Sequence, residues 1–252
     1  MTQKINDSFY RSALASKVSY VAHCNNRGLA RMHHLDQSRA CNIVHNKDSG
    51  AHMYVYDCGV DSRIVAFRGT VSLRHAWRCC DPAMSAFDTR ADKVKVHSHV
   101  LELFHSLESD LSAILMSDES LAALKRKTVT FCGHSAGGSL AQFAAAYYGD
   151  VTHGNVRINC HTLGAPRVGD GAFLRWYESS VTGESVQVVH RRDLVRLLPL
   201  GAGYRTRADL IVVDGGGGWS PWTAHDLDTY LETIEELFQR VELFKKSSQK
   251  LS

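Results

Sequence analysis

One serine in this chain stands where a hydroxyl becomes a nucleophile. In "TVTFCGHSAGGSLAQFAAAYY", Thr128 to Tyr148, a β-branched and aromatic run meets a turn of small residues and then an alanine-rich stretch, with Ser135 at the junction. Gly133-His134-Ser135-Ala136-Gly137 fits G-x-S-x-G, with a strand signal before it and a helix signal after it. A sharp strand-to-helix turn strains the backbone of its central residue and admits only small neighbours, which Gly133, Ala136, Gly137 and Gly138 supply. The strain exposes the serine oxygen, and the helix N-terminus offers N–H groups and a positive dipole end to a developing oxyanion. Such a turn can also cradle phosphate, but the lysine of G-x-x-x-x-G-K-[ST] is missing.

A serine hydroxyl attacks slowly unless a base takes its proton, and on a strand-turn-helix nucleophile the acid and then the histidine follow downstream. Asp193 ends the strand-like run "SVQVVHRRD", from where a carboxylate can reach a histidine, and His225 precedes the last helix signal. Asp150, Asp170, Asp209 and Asp214 are rivals for the acid, and His153, His161 and His190 for the base. Placement in a loop after a strand favours Asp193, while His190 lies inside a strand and too near Asp193 in sequence. An oxyanion hole needs two donors. The Ala136 N–H, next to the nucleophile, is one, and Thr70, at the end of "IVAFRGT", can offer both an N–H and a hydroxyl as the other.

These residues need a scaffold, and the periodicities describe one. Apolar positions recur at helical spacing over Ser8 to Ala22 and over Val96 to Met116. "AHMYVYDC" and "SRIVAF" flank a turn signal and are expected to form a hairpin. "TVTFC", "VRINCHTLG" and "SVQVVHR" are expected strands, alternating with the helix after Ser135 and a short one around "GAFLRWYES". "GYRTRA" and "LIVVD" suggest a last hairpin before the closing helix "LDTYLETIEELFQRVELFKK". This alternation implies an α/β fold with a mostly parallel central sheet flanked by helices, and a site beyond the carboxyl ends of its strands.

The 252 residues fit one domain, 1–252, with 44% hydrophobic and 22% charged residues, ordinary globular values. A net charge of +3 gives no reason to expect a nucleic-acid partner. No apolar run is long enough to span a membrane and no signal-peptide core is visible, so a cytoplasmic or otherwise intracellular protein is expected unless a leader has been removed. Seven cysteines without framework spacing fit reduced thiols. Fourteen histidines lack partners at ligand spacing, so no metal and no cofactor are expected. In "DGGGGWSPWTAHD", four glycines suggest a mobile loop whose Trp219 and Trp222 could line an acyl entrance or touch a lipid interface.

The segments "VAFRGTVSLRHAW", "VTFCGHSAGGSLA", "HTLGAPRVGD", "RRDLVRLLPL" and "HDLDTYL", in this order, resemble the class 3 lipases, the family of the fungal triacylglycerol lipases. The resemblance covers roughly Ser8 to Tyr230. It implies an α/β-hydrolase fold and hydrolysis of carboxylic esters of lipids, with Ser135 as nucleophile, Asp193 orienting His225, and Thr70 with Ala136 as the oxyanion hole. It also implies a lid-like segment over an apolar acyl groove at 71–88, with Trp77, Met84 and Phe87 as candidate substrate contacts, although Pro82 would shorten any lid helix. A phospholipase A1, a feruloyl-type esterase or a non-catalytic lipase-like binding module would share the same motifs. Two departures stand out: Ala136 replaces the usual leucine of the elbow, and "HSHVL" replaces a histidine-glycine-phenylalanine stretch before the long helix.

Overall fold

The computed structural model describes residues 7–21, 42–58, 62–69, 78, 80–90, 92–116, 128–215 and 220–249. Its centre is a seven-stranded sheet. In chain order the strands are β1 (Asn42–His45), β2 (His52–Asp57), β3 (Ser62–Phe67), β6 (Thr128–His134), β7 (Arg157–Leu163), β8 (Ser185–His190) and β9 (Ile211–Val213), and they lie side by side in that same order. β1, β2 and β3 pair antiparallel, whereas β3 and β6 to β9 run parallel. A separate two-stranded antiparallel ribbon joins β4 (Met84–Asp88) to β5 (Lys93–His97).

Helices cover both faces, as a parallel sheet requires. On one face α2 (Ser98–Met116), α3 (Ala136–Val151) and α4 (Gly171–Ser180) pack on Val65, Phe67, Val129 and Phe131. On the other, α1 (Asp7–Val21) and α6 (Leu227–Gln249) close over the sheet, with Phe9, Tyr230 and Ile234 against Val188 and Ile211. Alternation along the strands divides the faces: Val65 and Phe67 point to α3, while Ile64 and Ala66 point to α1. A short helix, α5 (Pro221–His225), precedes α6.

α3 fits the centre because of its composition. Nearly all its residues are buried, including Gly137, Gly138, Ala141, Ala144 and Ala145, so it presents no polar face and lies tight on the strands. Phe143 then meets Phe104 and Trp176 in edge-to-face contacts, with ring centroids 4.8 and 5.8 Å away. Each fully buried ring stabilises the fold by roughly 1.5–3 kcal/mol.

The structure departs from the periodicity in four places. The long helix begins at Ser98, because Lys93-Val94-Lys95-Val96 alternates exposed and buried with the period of a strand. The end of the lid-like segment, Met84 to Asp88, is the partner strand β4. "LIVVD" forms no hairpin: Ile211–Val213 pairs parallel with β8, extending the sheet. β1, which had no sequence signal, adds an exposed edge strand to β2.

Candidate functional site

β6 delivers Ser135 beyond its last residue, and α3 begins at the next one. Between them Ser135 has φ 57° and ψ −132°, a conformation costly for any residue with a Cβ. Its surroundings leave little choice. The Ser135 N–H donates to the Leu163 carbonyl of the neighbouring strand at 3.0 Å, and its own carbonyl accepts from Gly138 and Ser139, opening the helix. Gly133 has no room for a side chain, since a Cβ there would lie 2.4 Å from the Gly137 carbonyl group. A Cβ on Gly137 would lie 2.3 Å from the Phe67 carbonyl oxygen, so the end of β3 is pressed against the first turn of α3. The first N–H groups of a helix have no intrahelical acceptor, which leaves that of Ala136 beside the serine for an incoming oxyanion. Thr70, expected as the second donor, lies outside the described residues, directly after Gly69.

The other two candidates arrive from distant elements. Asp193 follows β8 in a tight turn, its N–H donating to the His190 carbonyl at 3.0 Å, and its side chain is 0% exposed. His225 ends α5, a helix started by Pro221 and by Ser220, whose hydroxyl accepts from the Trp222 N–H. His225 Nδ1 is 2.8 Å from Asp193 Oδ2, and its Nε2 is 2.9 Å from Ser135 Oγ. With the ring proton on Nδ1 and donated to Asp193, Nε2 is the acceptor that faces the serine hydroxyl.

A buried carboxylate needs donors for its oxygens, and Asp193 has them. Oδ1 accepts from the Val195 N–H at 2.8 Å, and Oδ2 accepts from Tyr230 Oη at 2.7 Å as well as from His225. Tyr230 in turn accepts from the His190 N–H at 2.8 Å. Gly164, at φ 55°, lets the backbone come this close: a Cβ there would sit 2.8 Å from Asp193 Oδ2 and 3.0 Å from Tyr230 Oη. Burial first, and then the Asp193 charge, push the Tyr230 hydroxyl well above its ordinary value, so it remains a donor.

His134 lies under the catalytic geometry. Its ring is 4.8 Å from that of His225, and its Nε2–H donates to the His225 carbonyl at 2.8 Å. Burial, reinforced by the nearby His225, lowers its pKa to about 3, so it is a neutral, fixed donor. Neither Tyr230 nor His134 was visible as a functional residue in the sequence. His134 sat inside the elbow motif as a variable position, and Tyr230 was read only as part of the closing helix.

The rivals have other occupations. Asp170 caps α4 by accepting from the Phe173 N–H at 2.8 Å, Asp209 pairs with Arg207, and Asp214 with Arg191. Asp150 lies near Arg90 at 3.9 Å. His161 is buried with its Nδ1 3.0 Å from Ser12 Oγ, and His153 sits in the turn after α3 at φ 55°.

The candidate substrate contacts are placed less uniformly. Phe87 is half-buried and packs against the core, its ring 5.1 Å from Phe143 and 5.7 Å from Trp176, because the ribbon carries it onto α3 and α4. Met84 is half-buried beside Gly203. Trp222 is 80% exposed, three residues before His225, while Trp77 lies outside the described residues. Among the described residues no group of three His, Cys, Asp or Glu could hold a metal ion, and no helix is long and apolar enough to cross a membrane.

A parallel sheet with this strained serine at the carboxyl end of β6 is the α/β-hydrolase fold. Solved structures with that fold agree. Lipase II from Rhizopus niveus superposes with a TM-score of 0.64 at 24% identity, covering 81% of this chain and 78% of that one. The native Rhizomucor miehei lipase propeptide complex gives 0.63 at 24%, over 84% and 69%. The family model described as Lipase (class 3) matches residues 64–202, more than half of the chain, and the chain belongs to that family. Ser135 and Asp193 fall inside the match and His225 beyond it. In sequence the chain is 29% identical over 154 residues to secreted mono- and diacylglycerol lipase 1 of Fusarium solani, covering 61% of this chain and 44% of that protein. It is 32% identical over 139 residues to a lipase of Rhizopus niveus, covering 54% and 34%. The matches therefore span less than half the length of those relatives.

Proposed function

We propose that the protein is a serine hydrolase that cleaves carboxylic esters of lipids through an acyl-enzyme, with Ser135, His225 and Asp193 as its triad. The observation that carries this is one unbroken line of contacts: Ser135 Oγ to His225 Nε2 at 2.9 Å, and His225 Nδ1 to Asp193 Oδ2 at 2.8 Å. Geometry of this kind lets His225 take the serine proton as Oγ attacks the ester carbonyl. The negative charge that moves onto the carbonyl oxygen is met by the Ala136 N–H and by Thr70. His225, protonated and stabilised by Asp193, then gives its proton to the departing alcohol. Water, deprotonated by the same Nε2, attacks the acyl-enzyme and releases the acid, restoring Ser135.

The lipid character of the substrate is supported by the family and by the rim of the site. Leu194, next to Asp193, is 55% exposed, and Trp222, three residues before His225, is 80% exposed; together they offer apolar surface to an aggregated substrate. We place Trp222 and Met84 as candidate contacts of the acyl or alcohol part, with 71–88 as the covering segment. The intracellular reading rests on Cys58, Cys80, Cys132 and Cys160, the described cysteines, all of them free thiols.

The test is a panel of nitrophenyl esters from acetate to laurate, run beside triacylglycerol and phospholipid emulsions, with Ser135→Ala as the blank. Turnover of at least one ester class that disappears in Ser135→Ala supports the proposal. Indistinguishable rates for the two proteins on every substrate would sink it.

A further inference from the structure

Next to Ala136 lies a small cavity of about 10 Å³, lined by His97, His99, Val100, Leu103, Ser139, Pro166 and Arg167. That is room for a single water-sized group. It borders Ala136, whose N–H would hold an ester carbonyl oxygen, so among the described residues it is a space toward which an acyl chain on Ser135 can extend. Val100, Leu103 and Pro166 give this space an apolar side, and His99 stands among them. His99 is buried, and its position is doubly fixed: its N–H donates to His97 Nδ1 at 3.1 Å, and its own Nδ1 is 3.3 Å from Glu102 Oε2. The same Glu102 oxygen accepts from Arg78, in the segment between β3 and β4, so two elements hold the imidazole where it is. Burial lowers the His99 pKa, offset in part by the hydrogen bond to Glu102, and the ring is neutral at neutral pH.

We propose that His99 sets the acyl-chain length of this hydrolase: its imidazole narrows the space beside Ala136, so that the site takes short acyl groups, acetyl to butyryl, in preference to long-chain fatty esters. The inference rests on the hydrolase reading above. A two- to four-carbon acyl group stays at the half-buried mouth around Ser135, whereas each further methylene needs volume that the ring occupies.

The experiment is the ratio of kcat/KM for nitrophenyl octanoate to that for nitrophenyl acetate, in the full chain and in two variants. The unaltered protein should favour acetate and butyrate over octanoate by about tenfold or more. His99→Ala should raise the octanoate-to-acetate ratio by about tenfold or more, mostly through a lower KM for octanoate. His99→Phe, which refills the space, should keep the original preference. The idea is overturned if the unaltered protein hydrolyses octanoate and laurate as readily as acetate, a measurement that needs no variant to fold. It is overturned equally if a folded His99→Ala protein keeps the original ratio. Loss of all ester turnover, matching Ser135→Ala, would overturn the hydrolase reading together with this one.

Discussion

Tyr230 donates its phenolic proton to Asp193 Oδ2 at 2.7 Å, and that oxygen is the one His225 Nδ1 also addresses. A helix that follows the histidine in sequence thus reaches back to steady the carboxylate that orients it. Removing the hydroxyl should make Asp193 a stronger acceptor toward His225 and raise the basicity of the ring. Tyr230→Phe is therefore expected to move the acid limb of the kcat/KM profile to higher pH. It should also cost about 1–3 kcal/mol of stability, since the His190 N–H loses its acceptor in a buried place. A pH–rate profile and a denaturant titration check both parts.

Ser135→Ala should lower kcat by at least about a thousandfold, with a smaller change in KM, because the proton-transfer pair is lost while the surroundings remain. Covalent labelling by a fluorophosphonate should disappear with it. Labelling that persisted on another serine would show that the nucleophile lies elsewhere.

His134 supplies a pH dependence of stability. Its pKa, held near 3 by burial in the folded protein, returns toward 6.5 on unfolding. The unfolded chain therefore binds the extra proton, and stability falls as pH drops from about 6.5 toward 3. Above about 6.5 the contribution is fully present. His161 and His99, also lowered by burial, act with the same sign. His134→Gln, whose amide can still donate to the His225 carbonyl, should flatten the decline in Tm between pH 6.5 and 4. An unchanged slope would mean that His134 is not the group taking up the proton.

Gly137→Ala tests how tightly the elbow is built. The new Cβ would lie 2.3 Å from the Phe67 carbonyl oxygen and 2.9 Å from the Gly69 nitrogen, both backbone atoms that cannot swing away. The segment leading to Thr70 has to shift. Ester turnover should fall by more than tenfold, and stability by about 1–3 kcal/mol, as for other overpacked sites. Thermal melts and the acetate assay measure the two effects independently.

Much of the site was legible before any coordinates. The strained turn was written in Gly133 to Gly138, because a strand joined to a helix at one residue admits no bulk on either side. The order serine, acid, histidine singled out Asp193 and His225, and the alternation of elements indicated a parallel sheet. The ribbon β4–β5 was partly hidden, because Val96 lies next to a helix whose longer period absorbed it and Val94 alone signals no strand. β1 was hidden too, since four residues, three of them exposed, gain their strand conformation only by pairing with β2.

By itself, then, the sequence determined the chemistry available at Ser135 and the class of fold able to present it, since both depend on local backbone sterics and on periodicities that neighbouring residues carry. Tertiary structure brought one acid and one base within hydrogen-bond reach of each other, and the base within reach of Ser135. Asp193 was already favoured by its place after a strand, and capping and ion pairs occupy Asp170, Asp209 and Asp214 elsewhere, with Asp150 near Arg90. Tertiary structure also brought Tyr230 and His134 onto the proposed triad and packed Phe87 against the core, because hydrogen bonds and packing between distant elements leave no periodic trace in the chain.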